Sequence, residues 1–353
     1  MIRVSLLGAS GYGGAELIRR LSRHPEVEVI ALGSRAFAGQ PLEACWPHLA
    51  GLSRARFVAP EEALTAGDVL FTATPHGATA PLVAQAQAAG RRVVDLSADF
   101  RLPPSEYEVW YGQAHPHPEL YDEARYGLVE LHREEITGAS LVANPGCNAS
   151  AAILALAPLA AAGALGEDVV ANIMTGVSGA GRGPGVPFHL PEAAESVKPY
   201  KVAGEHRHTA EIELTLGRTK VMGKRVATHA DADRVAVTFN PHLVPMIRGI
   251  LATCSTRPTR DDFTTEEALV LYREFYSGDP MVHVQKELPQ TKSVSGSDRT
   301  IVTVRVDPRT GMLVAFAALD NLGKGAAGQA VQNFNVMHGL PETLGLELEG
   351  RWP

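Results

Sequence analysis

Positions 2–7, Ile-Arg-Val-Ser-Leu-Leu, are mostly apolar and stop at a glycine-rich turn, Gly8-Ala9-Ser10-Gly11-Tyr12-Gly13-Gly14. A mostly apolar run this short reads as a strand. Beyond the turn, Gly14, Leu17, Ile18 and Leu21 recur at intervals of three and four, which gives a helix one apolar face. Residues 27–32 form a second strand ending at Gly33-Ser34-Arg35, and the alternation continues with a strand at 68–74, a helix at 81–89 and strands at 92–96 and 140–143. Strands alternating with helices predict a doubly wound parallel sheet. The pattern changes after Cys147. Residues 151–156 are apolar on nearly every side and predict a buried helix, which Pro158 bends or ends. Strands then dominate, at 169–175, 234–239, 247–255 and 300–306, with fewer helices, so the second unit reads as α+β with a mixed sheet. Near the C-terminus Ala327, Ala330, Val331 and Phe334 share a helix face that would pack back on the first unit.

Composition narrows the classes. The 353 residues are 45% hydrophobic and 20% charged, with a net charge of −7, which argues against generic nucleic-acid binding. Cys45, Cys147 and Cys254 are far apart and odd in number, so neither a disulfide framework nor metal spacing is expected. No apolar run reaches membrane-spanning length and no signal peptide is read, which makes the cytoplasm the expected compartment. Residues 196–230 run against the net charge, with seven lysines and arginines facing three acids. Such a segment would steer an anionic substrate or an acidic partner, or form a solvated, salt-bridged surface.

The candidate chemistry sits at the breaks in the pattern. Glycines at 8, 11, 13 and 14 let the backbone close on a pyrophosphate at a helix N-terminus. Ser34-Arg35 replaces the acid that would hold the ribose of NAD, which points to a 2′-phosphate and NADP. Asn144-Pro145-Gly146-Cys147-Asn148 turns out of a strand into an alanine-rich helix, so Cys147 begins that helix, where a thiolate is favoured; a small buried hydrophobe is the alternative. In Gly204-Glu205-His206-Arg207-His208 the histidines are read as a base first, as inert second and as metal ligands last. Arg101 either clamps a substrate anion or pairs with Asp99 or Asp95, and His76 reads as structural. His115 and His117, between prolines, belong to an ordered aromatic loop rather than a metal site. Arg182, in a glycine-rich stretch at 178–185, is the cation of a lid or phosphate loop, or of a plain connector. Asn321 would offer its amide to a nicotinamide carboxamide.

Assembled, these motifs resemble the N-acetyl-γ-glutamyl-phosphate reductase family, a branch of the aspartate-semialdehyde dehydrogenase superfamily. The match covers nearly the whole chain: GASGYGG from Gly8, SR at Ser34, DLSADFRL from Asp95, YGLVEL from Tyr126, NPGC from Asn144, EHRH from Glu205 and NLGKGAAGQAVQN from Asn321. The resemblance implies a Rossmann-type NADP-binding domain over 1–147, a catalytic and dimerisation α+β domain over 148–320, and a C-terminal helix over 321–353 returning to the first. It implies an NADPH-dependent acyl-phosphate reductase, without metal and homo-oligomeric. Cys147 would be the nucleophile, His206 the acid/base and His208 its neighbour. Ser10, Gly11, Tyr12, Gly13, Ser34, Arg35, Ala36 and Asn321 would bind the cofactor, with Arg101 and Arg182 toward substrate. The sequence departs from the arginine-pathway pattern at Asn148, where that group carries tyrosine. The GCN form is similar to the lysine-pathway branch, which reduces α-aminoadipyl phosphate on the acidic carrier protein LysW. That substrate is placed first and N-acetylglutamyl phosphate second, or both. A non-catalytic NADP(H) sensor and a dehydrogenase without a covalent step are the competing classes.

Overall fold

The computed structural model describes residues 1–260 and 262–352 and divides into two compact units. The first comprises Met1–Pro145, Gly181–Gly183 and Ala326–Leu346. Its strands are β1 (Ile2–Leu7), β2 (Val27–Gly33), β3 (Arg56–Val58), β4 (Val69–Thr72), β5 (Arg92–Asp95), β6 (Ala124–Tyr126) and β7 (Leu141–Ala143). They form one sheet in the order β3-β2-β1-β4-β5-β7-β6, parallel at every pairing. Neighbouring residues of a strand enter opposite apolar clusters: Leu6, Phe71 and Val94 one, Leu7, Leu70 and Val93 the other. Both faces are therefore covered, as a parallel sheet requires. Ala327, Ala330, Val331 and Phe334, on or just before the helix Gly328–Met337, are fully buried in the first of these clusters.

The second unit comprises Gly146–Ala180, Pro184–Gly325 and Glu347–Pro353. Its strands are β8 (Val169–Gly176), β9 (Lys198–Pro199), β10 (Val237–Val244), β11 (Ile250–Thr256), β12 (Val282–Val284), β13 (Thr300–Val306) and β14 (Leu313–Leu319). The order is β12-β13-β14-β11-β8-β10-β9, with parallel and antiparallel pairs, the mixed sheet expected. Helices are better represented than the pattern predicts: Cys147–Ala161, His208–Met222 and Thr265–Phe275 pack on one face of this sheet. The last begins with a capping box in which Thr264 and Glu267 satisfy each other's backbone N–H groups, a signal present in the sequence but not read from it.

Pro158 neither ends nor replaces the helix it lies in, which runs on to Ala161. A proline at 158 removes the N–H that would bond the carbonyl of Leu154. The hydroxyl of Tyr276 donates to that oxygen instead, at 2.6 Å, and Tyr272 does the same for Ala155. Among the described residues no helix is long and apolar enough to cross a membrane.

Candidate active site

In the first unit the glycines of the turn divide by role. Gly8 has φ +74°, and a Cβ there would meet the carbonyl of Ala73 at 2.3 Å; a Cβ on Gly14 would meet the Gly8 carbonyl at 2.5 Å. Those two permit close approach of backbone to backbone. Gly11 is the N-cap of the helix Tyr12–Leu21 and supplies no side-chain cap, so the first-turn N–H groups are left for an anion. Ser34 donates to the hydroxyl of Ser10 at 3.0 Å, tying the turn to the end of β2. Arg35 and Ala36 follow, both exposed, and Arg35 has no bonded partner among the described residues. An uncapped helix and a free guanidinium fit a dinucleotide bearing a 2′-phosphate.

Arg182, expected as the cation of a lid or phosphate loop or of a plain connector, is held by the first unit. Its guanidinium lies over the Trp46 ring at 4.4 Å and donates to the Ser10 carbonyl at 3.0 Å and to Cys45 Sγ at 2.9 Å. These contacts tie it to the glycine turn. Arg101 is likewise engaged by backbone. Only 6% exposed, it donates to the carbonyls of Asn144 (2.7 Å) and Leu96 (2.8 Å), bracing the NPGC turn. Asp99 accepts from the N–H groups of Gly77, Thr79 and Ala80, capping the helix Ala80–Ala88, and Asp95 is spent on Thr72 and Ser97. His76 accepts from the N–H of Ala98, the structural role expected. His115 bonds the Asp99 carbonyl at the edges of Phe100 and Tyr107.

In the second unit Cys147 is the first residue of its helix, half-buried, and the N-cap Gly146 provides no side-chain cap. Two glycines make room around it. A Cβ on Gly325 would lie 2.9 Å from that of Cys147, and a Cβ on Gly146 would lie 2.3 Å from Nε2 of His208. The N–H of Gly146 donates to Glu211 at 2.8 Å, one turn after His208 on the same helix face. His206 and His208 meet edge to face at 4.6 Å, and the N–H of His208 donates to His206 Nδ1 at 3.1 Å. With Nδ1 accepting, the neutral ring carries its proton on Nε2. Burial, then the charges of Lys201 and Arg207, push the His206 pKa down to about 4. Lys201 and Ala203 hold positive φ values of 45° and 53° without being glycine, so the chain entering this motif is strained.

Two residues escaped the sequence reading. Glu211 was legible as the third residue after His208 on a helix, whereas Tyr200 lies in no motif. Asn148 donates to the Tyr200 hydroxyl at 3.3 Å, and the Tyr200 ring sits edge-on to His206 at 5.6 Å. Asn321, expected at the cofactor, is 2% exposed, and its amide is engaged within the unit: Oδ1 accepts from Gly249 and Nδ2 donates to Ser178, both at 2.9 Å.

Residues 3–139 match the family model described as the NAD binding domain of semialdehyde dehydrogenase, and residues 147–321 match its dimerisation domain. An N-acetyl-gamma-glutamyl-phosphate reductase of Thermus thermophilus is 53% identical over 99% of this chain and 100% of its own length. One from Symbiobacterium thermophilum is 48% identical, over 98% and 97%. Among solved structures, aspartate semialdehyde dehydrogenase with NADP from Candida albicans shares the fold at a TM-score of 0.71 and 19% identity, covering 95% of this chain and 98% of that one. Aspartate semialdehyde dehydrogenase II from Vibrio cholerae does so at 0.70 and 17%, with the same coverage. With matches of this extent across both units, the chain belongs to the N-acetyl-γ-glutamyl-phosphate reductase family of semialdehyde dehydrogenases.

Proposed function

We propose that the enzyme reduces the acyl phosphate of N-acetylglutamate to its semialdehyde with NADPH, releasing phosphate by way of a thioester on Cys147. The observation that carries this reading is Cys147 at an uncapped helix start, with Tyr200, His206 and His208 gathered beside it. The names of the relatives support this substrate ahead of the aminoadipyl one that Asn148 places first.

The helix N-terminus favours the thiolate, which attacks the acyl carbon. A C–S bond forms, the C–O bond to phosphate breaks, and phosphate leaves with the electron pair. Ser10, Gly11, Tyr12, Gly13, Ser34, Arg35 and Ala36 would hold NADPH, which would supply the hydride. His206 remains neutral near pH 7, and its Nε2–H steadies the negative oxygen of each tetrahedral species. The expected proton donor thus acts as a hydrogen-bond donor. Cleavage of the C–S bond then frees the aldehyde and restores the thiolate, a cycle that draws no proton from His206. His208, against Gly146 and His206, fixes the ring that does this work. Phosphate-dependent reduction of NADP by N-acetylglutamate semialdehyde is the assay. Cys147→Ser should abolish turnover and keep NADP binding; retained turnover overturns the nucleophile.

A second reading, the LysW-borne aminoadipyl phosphate, is favoured by Asn148 alone. Its electrostatic support is thinner than the sequence implies, because Lys220 and Lys224 of the cationic segment pair at 2.6 Å with Asp233 and Asp279 outside it. Assaying both semialdehydes side by side decides between them, and LysW binding at low and high salt tests the carrier. For assembly, the sheet face opposite the helices leaves Met174, His242, Leu251 and Phe316 half-exposed, a surface suited to a second copy in the region matching the dimerisation domain.

A further inference from the structure

Tyr200 carries no role in any motif, yet its hydroxyl stands where the reaction develops charge. The oxygen accepts from Asn148 Nδ2 at 3.3 Å, and Asn148 directly follows Cys147 in the chain. That bond uses a lone pair and leaves the phenolic proton, for which no acceptor is present among the described residues. The Tyr200 ring faces His206 at 5.6 Å, so the phenol and the imidazole approach the site from one side. Asn148 is 3% exposed, and its Oδ1 has no hydrogen-bond partner. A buried amide with half its capacity unused marks a place that a ligand completes.

We propose that Tyr200 is a catalytic hydrogen-bond donor: its hydroxyl, aimed by the Asn148 amide, donates to the oxygen of the acyl group carried on Cys147, in concert with the Nε2–H of His206. The inference rests on the thioester reading above. Tyr200 makes no hydrogen bond to the sulfur, yet the charge on Cys147 raises its pKa, so the hydroxyl lies within electrostatic reach of the thiolate. Burial is the larger cause of a pKa of about 12, so the phenol keeps its proton throughout the working range. Two neutral donors, one imidazole and one phenol, meet the developing charge without either being consumed.

The test is Tyr200→Phe in the full-length enzyme, assayed by phosphate-dependent NADP reduction. Loss of one such donor should lower kcat by about 10²-fold, with NADP binding and the iodoacetamide labelling rate of Cys147 unchanged. A kcat within about threefold of wild type overturns the proposal. So does collapse of thiol labelling in a folded variant, which would place the hydroxyl on the sulfur instead. Replacing Tyr200 by a fluorinated tyrosine keeps the shape and makes the phenol more acidic. It should bring an alkaline limb into kcat more than one pH unit below any in the wild type, and a profile without that shift also overturns it. The two readings fail separately: turnover retained in Cys147→Ser removes the thioester, whereas turnover retained in Tyr200→Phe removes only this donor.

Discussion

Gly146→Ala is a one-carbon perturbation aimed at the geometry of the histidine pair. Gly146 has φ −70° and ψ 141°, which alanine adopts freely, so the backbone is not strained. The added Cβ would stand 2.3 Å from Nε2 of His208 and 2.8 Å from its Cδ2 and Cε1, where ordinary contact begins near 3.4 Å. The ring must retreat by about 1 Å, and a misplacement of that size costs about 10² in rate. Exchanging glycine for alanine at an N-cap costs about 1 kcal/mol, a loss of a few degrees in Tm for a unit of this size. The variant should thus fold, bind NADP, react with iodoacetamide at Cys147 and turn over about a hundredfold more slowly. Steady-state kinetics and a thermal melt check both halves. A kcat within about threefold of wild type would refute the claim that the His208 ring must stay where it is.

Three further expectations concern other parts of the molecule. The His206 pKa lies below its unfolded value, so between about pH 6.5 and 4 the unfolded chain binds the proton that the native chain refuses, and stability falls as pH drops through that window. This contribution should approach about 3 kcal/mol in denaturant titrations, and His206→Gln should remove it while leaving that of the other histidines whose pKa burial lowers, His24, His115 and His338. Arg101→Lys should lower thermal stability by about 2–3 kcal/mol by withdrawing donors from the Asn144 and Leu96 carbonyls, with KM little changed; a tenfold KM rise at unchanged Tm would restore the substrate clamp. Arg35→Ala should raise the KM for NADPH about tenfold or more and leave that for NADH alone, and equal efficiency with both cofactors in the wild type would remove the 2′-phosphate contact.

Local signals were the legible ones. The glycine turn and the Cys147 helix could be read because a strand, a turn and a helix start are consecutive in the chain, so the sequence itself states their geometry. The protein partners of Arg101 and Asn321 were not legible, because the direction of a side chain depends on which distant groups need it. Asn144 and Leu96 claim the one; Gly249 and Ser178 claim the other. That Pro158 does not end its helix was hidden for the same reason, since Tyr276, more than a hundred positions away, takes up the freed carbonyl. Tyr200 had no chance of being read, having neither periodicity nor spacing to distinguish it.

The bond between Asn148 and Tyr200 changes how position 148 informs substrate assignment across the family. Treated alone, the residue after the cysteine sorts chains into two pathways. Held to Tyr200, it is half of a pair, and a tyrosine at 148 would bring a second phenol toward space that Tyr200 already fills. The two positions should then change together among relatives, a tyrosine at one accompanied by an altered residue at the other. Sorting by the pair rather than by its first member would separate chains that recognise a different acyl group from chains that have only rebuilt the same hydrogen bond from the opposite side.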